Sequence, residues 1–153
     1  MAGLEDLYRE IILDHYRAPR NRGELPVPPA HKVEGFNPLC GDEVTLYLDI
    51  DNDGETVRDI KIEGQGCSIS QASTSMMSAA VKGKSVDEAR RLIRAFKALM
   101  SIHESKLEGE DDGEDLRADL EALQGVVKFP VRIKCATLSW NTLDQGLDEI
   151  EPA

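Results

Sequence analysis

Two neighbouring runs of alternating apolar residues constrain the fold of this chain more strongly than any other feature. In residues 43–50 every second residue is apolar, namely Val44, Leu46, Leu48 and Ile50. In residues 56–63 the apolar positions are Val57 and, after a phase slip near Asp59, Ile60 and Ile62. The intervening "NDG" at 52–54 is a typical hairpin turn. Because a period of two indicates strands with one buried face, the sequence predicts an antiparallel hairpin here.

Helices are predicted on both sides of this hairpin, from apolar residues spaced three and four apart. The first covers residues 4–16, with one face formed by Leu4, Leu7, Ile11 and His15. The second covers residues 71–82 and packs through Ala72, Met76, Ala79 and Ala80. A capping-box pattern, Ser85 with Glu88, precedes a third helix that packs through Val86, Ala89, Ile93, Phe96 and Met100. The last helix packs through Ala136, Trp140, Leu143, Leu147 and Ile150.

The order of these elements predicts an α+β fold. We interpret "GCSIS" at 66–70 as a third short strand and the Pro- and Gly-rich residues 18–38 as an extended surface connection. The expected architecture is a small antiparallel three-stranded sheet packed against helices, with an N-terminal helix and a long C-terminal helix. The length suits a single domain over residues 1–153.

An acidic insertion interrupts this pattern at about 101–121. The segment holds nine acidic and two basic residues, a net charge of −7, and is therefore expected to be a solvated surface feature. Within and just after it, Leu116, Leu120 and Leu123 are spaced four and three apart, which predicts a short packed helix at 114–123. The preceding "EGEDDG" at 108–113 is expected to form an exposed turn.

Composition excludes several classes of function. The net charge of −11 argues against general nucleic-acid binding, which needs clustered Lys and Arg. The sequence contains no run of about 18 apolar residues, so no membrane span is expected. The N-terminus lacks the basic-then-apolar pattern of a signal peptide, and three cysteines cannot form a closed set of disulfides. We therefore expect a cytoplasmic protein.

The three cysteines are candidates for a metal site. Cys40 and Asp42 precede the first strand of the hairpin, and Cys67 follows the second, so the three side chains can meet at one sheet edge. Cys135 is expected at the start of the last helix, where the helix dipole favours a thiolate. Three sulfurs and one carboxylate suit tetrahedral Zn²⁺, and iron–sulfur ligation is also chemically possible. Three core thiols and a plain Cys-Gly-Asp turn are the simpler alternative.

At this point the sequence resembles the U-type iron–sulfur assembly proteins, the family of IscU, SufU and the NifU N-terminal domain. The resemblance lies in "NPLCGD" at 37–42, "GQGCSISQAS" at 64–73 and "KCATLSW" at 134–140. The segment "LYREIILDHYRAPRNRG" at 7–23 is similar to the family's first helix and loop. Two features resemble the SufU branch: Lys134 stands where IscU-type chains have a histidine, and the acidic insertion lies between the second and third cysteines.

The resemblance implies a metal site and a reaction. Its metal ligands correspond to Cys40, Asp42, Cys67 and Cys135, with Zn²⁺ as the bound metal and a transient iron–sulfur cluster as a further possibility. It implies a zinc-dependent sulfurtransferase that accepts persulfide sulfur from a PLP-dependent cysteine desulfurase of the SufS type, a histidine of which replaces a cysteine on zinc. A downstream iron–sulfur scaffold would then receive the sulfur. The freed cysteine is expected to be Cys40, whose neighbour Gly41 allows it to move.

Further candidates lie around the last cysteine. Arg132 can steer the substrate or the persulfide charge, with a surface ion pair as the alternative. Lys134 can lower the pKa of Cys135 or simply be solvated. Three functional classes stay open at this point: the sulfurtransferase, a scaffold on which an iron–sulfur cluster is assembled, and a noncatalytic zinc-stabilised adaptor of a desulfurase.

Overall fold

The computed structural model describes residues 3–27, 29–38, 41–51, 54–100 and 130–150. In chain order, the elements within these ranges are α1 (Gly3–Arg17), β1 (His31–Asn37), β2 (Asp42–Ile50), β3 (Val57–Gln65), α2 (Ser68–Val81), α3 (Val86–Met100) and α4 (Pro130–Ile150). The acidic insertion and the helix predicted at 114–123 lie outside the described residues. The α+β class is confirmed, with an N-terminal and a long C-terminal helix.

The three strands form one antiparallel sheet in the order β1-β2-β3. The register places Val33 opposite Leu46, and Leu46 opposite Ile62, so the apolar side chains of the three strands share one buried face. A bulge explains the phase slip near Asp59: Asp49 pairs with Asp59 and Ile50 pairs with Val57, which leaves Arg58 as the extra residue. The predicted hairpin is therefore confirmed, including its irregularity.

The third strand differs from the prediction. It is β1, which lies in the segment interpreted as a surface connection. The residues "GCSIS" are not a strand: Gly66 and Cys67 link β3 to α2, and Ser68 begins that helix. β1 is an edge strand in which only Val33 and Asn37 are buried, so its sequence carries no run of alternating apolar residues. Its pairing with β2, rather than a local pattern, makes it a strand.

Helices α2 and α4 pack against the sheet, and α3 packs against α2 and α4. The centre of the core is the stacked pair Phe96 and Trp140, whose ring centroids lie 4.5 Å apart. The predicted capping box of α3 is present: Glu88 N donates to Ser85 Oγ at 3.0 Å, and Ser85 N donates to Glu88 Oε1 at 3.2 Å. Helix α1 packs on α2, where its buried His15 places Nδ1 2.8 Å from Ser75 Oγ.

Candidate metal centre

Three side chains converge at the edge of the sheet where β2 begins and β3 ends. One carboxylate oxygen of Asp42 and the sulfurs of Cys67 and Cys135 all lie within 4.8 Å of one another. Asp42 and Cys135 are fully buried, and Cys67 is partly exposed. The structure thus brings together three of the four residues that the sequence analysis assigned to one site. The fourth, Cys40, lies outside the described residues.

Asp42 is held by the strand that it opens. It pairs with Asn37 of β1, and its Oδ1 accepts a hydrogen bond from the backbone N–H of Cys67 at 3.0 Å. Its other oxygen, Oδ2, is buried and has no hydrogen-bond partner among the described residues. Burying a polar oxygen without a partner costs free energy, and metal coordination is one of the few ways in which a buried carboxylate is compensated. This oxygen therefore favours a bound cation.

Cys67 reaches the cluster through the junction of β3 and α2. It is the N-cap of α2, with φ −72° and ψ 168°, and its Sγ accepts a hydrogen bond from Ser70 N at 3.4 Å. The preceding residue, Gly66, has no room for a side chain, since a Cβ there would lie 2.9 Å from Asp42 Cγ. The absence of this atom lets the β3–α2 junction close onto the Asp42 carboxylate.

Cys135 arrives from the opposite side, on α4. This helix begins at Pro130, so Cys135 lies in its second turn. The prediction that Cys135 lies at the start of the helix is therefore wrong. The helix dipole acts mainly within the first turn, and the expected effect on the thiol is correspondingly reduced. The next residue, Ala136, accepts a hydrogen bond at its carbonyl from Ser73 Oγ of α2, at 2.6 Å. Sequence analysis did not single out Ser73, which looks like an ordinary small residue of a packed helix.

Three other residues with side chains suited to a site are Arg132 and Lys134, the candidates around the last cysteine, and His31 on β1. Arg132 belongs to the first turn of α4, and its side chain lies outside the described part of the structure. Lys134 is exposed, although it adjoins Cys135 in sequence. His31 Nε2 lies 2.7 Å from Glu149 Oε1, and this hydrogen bond holds the pKa of Glu149 below its ordinary value. These residues do not belong to the cluster of three that the described residues form.

The donor set fits zinc. Zn²⁺ binds cysteine sulfur and aspartate oxygen together and usually takes four ligands in a tetrahedron. Two sulfurs and one oxygen, all within 4.8 Å of one another, can converge on one such ion after small side-chain movements. A sheet edge and two helices that carry a largely buried Asp/Cys/Cys cluster define a small α+β domain with a candidate metal site.

Comparison with known families identifies this domain. Residues 7–146 match the NifU-like N terminal domain, so the chain belongs to that family. It is similar to the zinc-dependent sulfurtransferase SufU of Bacillus subtilis (strain 168), with 48% identity over 150 residues, 98% of this chain and 95% of the relative. It is also similar to the iron–sulfur cluster assembly scaffold protein IscU of Streptococcus pyogenes serotype M1, with 39% identity over 147 residues, 96% of this chain and 86% of the relative.

Two solved structures have a fold similar to that of this chain. FiSufU from Fervidobacterium islandicum AW-1 matches with a TM-score of 0.78 and 36% identity, over 95% of this chain and 99% of that one. The N-terminal part of a NifU-like protein from Brucella abortus matches with a TM-score of 0.78 and 25% identity, over 96% of each chain. Among the helices of the described ranges, none is long and apolar enough to cross a bilayer.

Proposed function

We propose that this protein is a zinc-dependent sulfurtransferase of iron–sulfur cluster assembly. In this proposal it accepts persulfide sulfur from a PLP-dependent cysteine desulfurase and delivers it to a downstream iron–sulfur scaffold. The observation that carries the proposal is the convergence of Asp42, Cys67 and Cys135 within 4.8 Å, in a chain 48% identical to a protein named for this activity.

Zinc would be held by Asp42, Cys67 and Cys135 together with Cys40. When bound, the metal keeps coordinating cysteines deprotonated at neutral pH and reduces their nucleophilicity. The protein's own residues hold the ligands in place. The N–H of Cys67 orients the Asp42 carboxylate, and the N-terminus of α2 donates to the Cys67 sulfur. The family relationship and the donor set both support this assignment.

Cys40 is proposed as the sulfur acceptor. Its thiolate attacks the outer sulfur of the desulfurase persulfide, so that a new S–S bond forms on Cys40 and the desulfurase cysteine leaves as a thiolate. Two observations favour Cys40 over Cys135. Cys135 is fully buried, whereas Gly41, next to Cys40, has φ +71° and no atom of the described residues within 4 Å of a Cβ position. Arg132, in the first turn of α4, is proposed to steer the anionic persulfide.

Zinc content tests the metal site. Elemental analysis of the purified wild type should give about one zinc per chain, as a four-ligand site would hold. The Cys67→Ser and Asp42→Asn variants should lose most of it. Asp59→Asn is the matched control, because the Asp59 carboxylate also accepts a backbone N–H, from Ile60 at 2.8 Å, but lies away from the cluster. Full zinc occupancy in Cys67→Ser would remove this residue from the site.

Sulfur transfer tests the chemistry. After a single turnover with a cysteine desulfurase, mass spectrometry should find one extra sulfur on the peptide that contains Cys40. Cys40→Ser should abolish stimulation of the desulfurase. A label found only on Cys135 would reverse the assignment, and stimulation with no sulfur on the chain would support the noncatalytic adaptor.

A scaffold role is the second candidate, favoured by the relatives named as IscU scaffolds at 38–39% identity. Anaerobic reconstitution with iron and sulfide separates the two functions. The sulfurtransferase proposal expects no cluster that survives gel filtration. A stable chromophore that disappears in Cys67→Ser would favour the scaffold instead.

A further inference from the structure

We infer that Ser73 is a positioning residue of the metal centre, which fixes Cys135 relative to Cys67 through a hydrogen bond between α2 and α4. The inference rests on the proposed function only in taking these two cysteines as ligands of one metal. Cys67 caps the helix that carries Ser73, and the carbonyl of the residue after Cys135 accepts a hydrogen bond from Ser73.

The Ser73 hydroxyl on α2 bonds to α4 both as a donor and as an acceptor. Its Oγ donates to the Ala136 carbonyl at 2.6 Å and accepts from Trp140 Nε1 at 3.1 Å. All three residues are fully buried. A hydroxyl inside a helix commonly bonds back to its own helix, as Thr74 does to the carbonyl of Ser70 at 2.8 Å. Ser73 instead uses its hydroxyl on the neighbouring helix.

This hydrogen bond lies close enough to both cysteines to determine their relative position. Cys67 caps the N-terminus of α2, six residues before Ser73, which corresponds to about 9 Å along a helix axis. On the other side, the bonded carbonyl belongs to the residue that follows Cys135. Since a helical turn is stiff, holding Ala136 against Ser73 sets both the height and the rotation of Cys135 opposite Cys67. The stacking of Trp140 on Phe96 orients α4 against α3 and not against α2. Aliphatic packing between α2 and α4 is non-directional and defines these two parameters less tightly.

The same helix offers a control that separates positioning from general stability. Ser78 is fully buried, and its Oγ donates to the Ser75 carbonyl at 2.7 Å and accepts from Asn21 Nδ2 at 3.1 Å. Ser78 therefore matches Ser73 in burial and in hydrogen bonding. These partners, together with the Arg20 carbonyl at 3.3 Å, lie in α2 itself and in the segment after α1, so none of these hydrogen bonds reaches α4.

The experiment measures metal affinity, not activity, in Ser73→Ala and Ser78→Ala. Zinc dissociation constants come from competition with a chromophoric chelator, and Co²⁺ substitution reports thiolate geometry through its charge-transfer band. Ser73→Ala is expected to weaken zinc binding about tenfold or more, as losses of outer hydrogen bonds do, and to shift the Co²⁺ spectrum. Ser78→Ala should stay within about twofold of wild type, with an unchanged spectrum.

Two further variants keep the inference testable if Ser73→Ala folds poorly. Ser73→Thr retains the hydroxyl and should restore zinc affinity to within about threefold of wild type. Trp140→Phe removes the indole donor but leaves the Ser73–Ala136 bond, and should also keep zinc affinity within about threefold. Equal affinities in Ser73→Ala and Ser78→Ala, or a tenfold loss in Trp140→Phe, would overturn the inference. These measurements need no desulfurase, so a failure of sulfur transfer in the wild type would contradict the proposed function and leave the role of Ser73 intact.

Discussion

Replacing Gly66 by alanine should damage the metal centre without removing any ligand. A Cβ at this position would lie 2.9 Å from Asp42 Cγ, closer than Cβ contacts in folded proteins, and 3.1 Å from Asp42 Cβ, which is also a tight contact. The atoms in the way belong to the base of a short, fully buried side chain, so they cannot move aside cheaply. The expected response is a displacement of the carboxylate from the Cys67 N–H, which now lies 3.0 Å from Oδ1.

The size of the effect follows from the contact that is lost. A hydrogen bond to a carboxylate contributes about 1.5–3 kcal/mol, and alanine at the Gly66 φ of +158° adds a backbone cost of about 1 kcal/mol. The free energy of unfolding should therefore fall by about 3 kcal/mol, which lowers the melting temperature by about 6–12 °C in a chain of this length. Because the same carboxylate is a proposed ligand, zinc affinity should fall about 10- to 100-fold.

Gly83→Ala is the matched control. Gly83 has φ +82°, but in the part of the chain that the structure describes no atom lies within 4 Å of its Cβ position, so only the backbone cost of about 1 kcal/mol applies. Urea unfolding of the two metal-free variants gives the stabilities, and chelator competition gives the zinc dissociation constants. Gly83→Ala should bind zinc like the wild type. If Gly66→Ala also binds zinc within twofold of the wild type, the close approach does not shape the site, and the reasoning is refuted.

Four other perturbations have definite expected outcomes. Ser139→Ala removes a buried hydroxyl that has no hydrogen-bond partner among the described residues, so urea unfolding should show stability unchanged or raised by about 0.5 kcal/mol; a loss above about 1 kcal/mol would contradict this. Ser85→Ala removes the N-cap of α3 and should cost about 1 kcal/mol near pH 7. The hydrogen bond from Ser85 N holds the pKa of Glu88 below its ordinary 4.5, so the stabilisation by this carboxylate is complete above pH 4.5 and is lost as the pH falls through the lowered value. Urea unfolding of Glu88→Gln should therefore show a deficit at pH 7 that shrinks at acid pH, and a constant deficit would contradict the linkage. Deleting residues 104–121 with a short Gly-Ser bridge should leave zinc content intact but weaken desulfurase stimulation, most visibly at low salt; unchanged stimulation would make the segment a solubility feature.

The sequence by itself determined the elements whose signals lie within a few residues. The hairpin of β2 and β3 follows from alternating apolar residues, and even its bulge is visible as the phase slip before Ile60. The start of α3 follows from its capping box. The meeting of Asp42 with Cys67 also follows from local information, because the register of a short hairpin places the start of one strand beside the end of the next.

The tertiary structure alone decided what joins distant segments. β1 is a strand because it pairs with β2, while its own residues, mostly polar and only partly buried, carry no strand periodicity. Cys135 lies 68 residues beyond Cys67, and its place in the second turn of α4 depends on where that helix begins and on how it docks against α2. The Ser73 hydroxyl that secures this docking sits in a row of small residues, where nothing in the sequence distinguishes it from its neighbours. Periodicity and capping act through neighbouring residues and can be read locally, whereas edge pairing and helix docking depend on surfaces that exist only after the chain has folded.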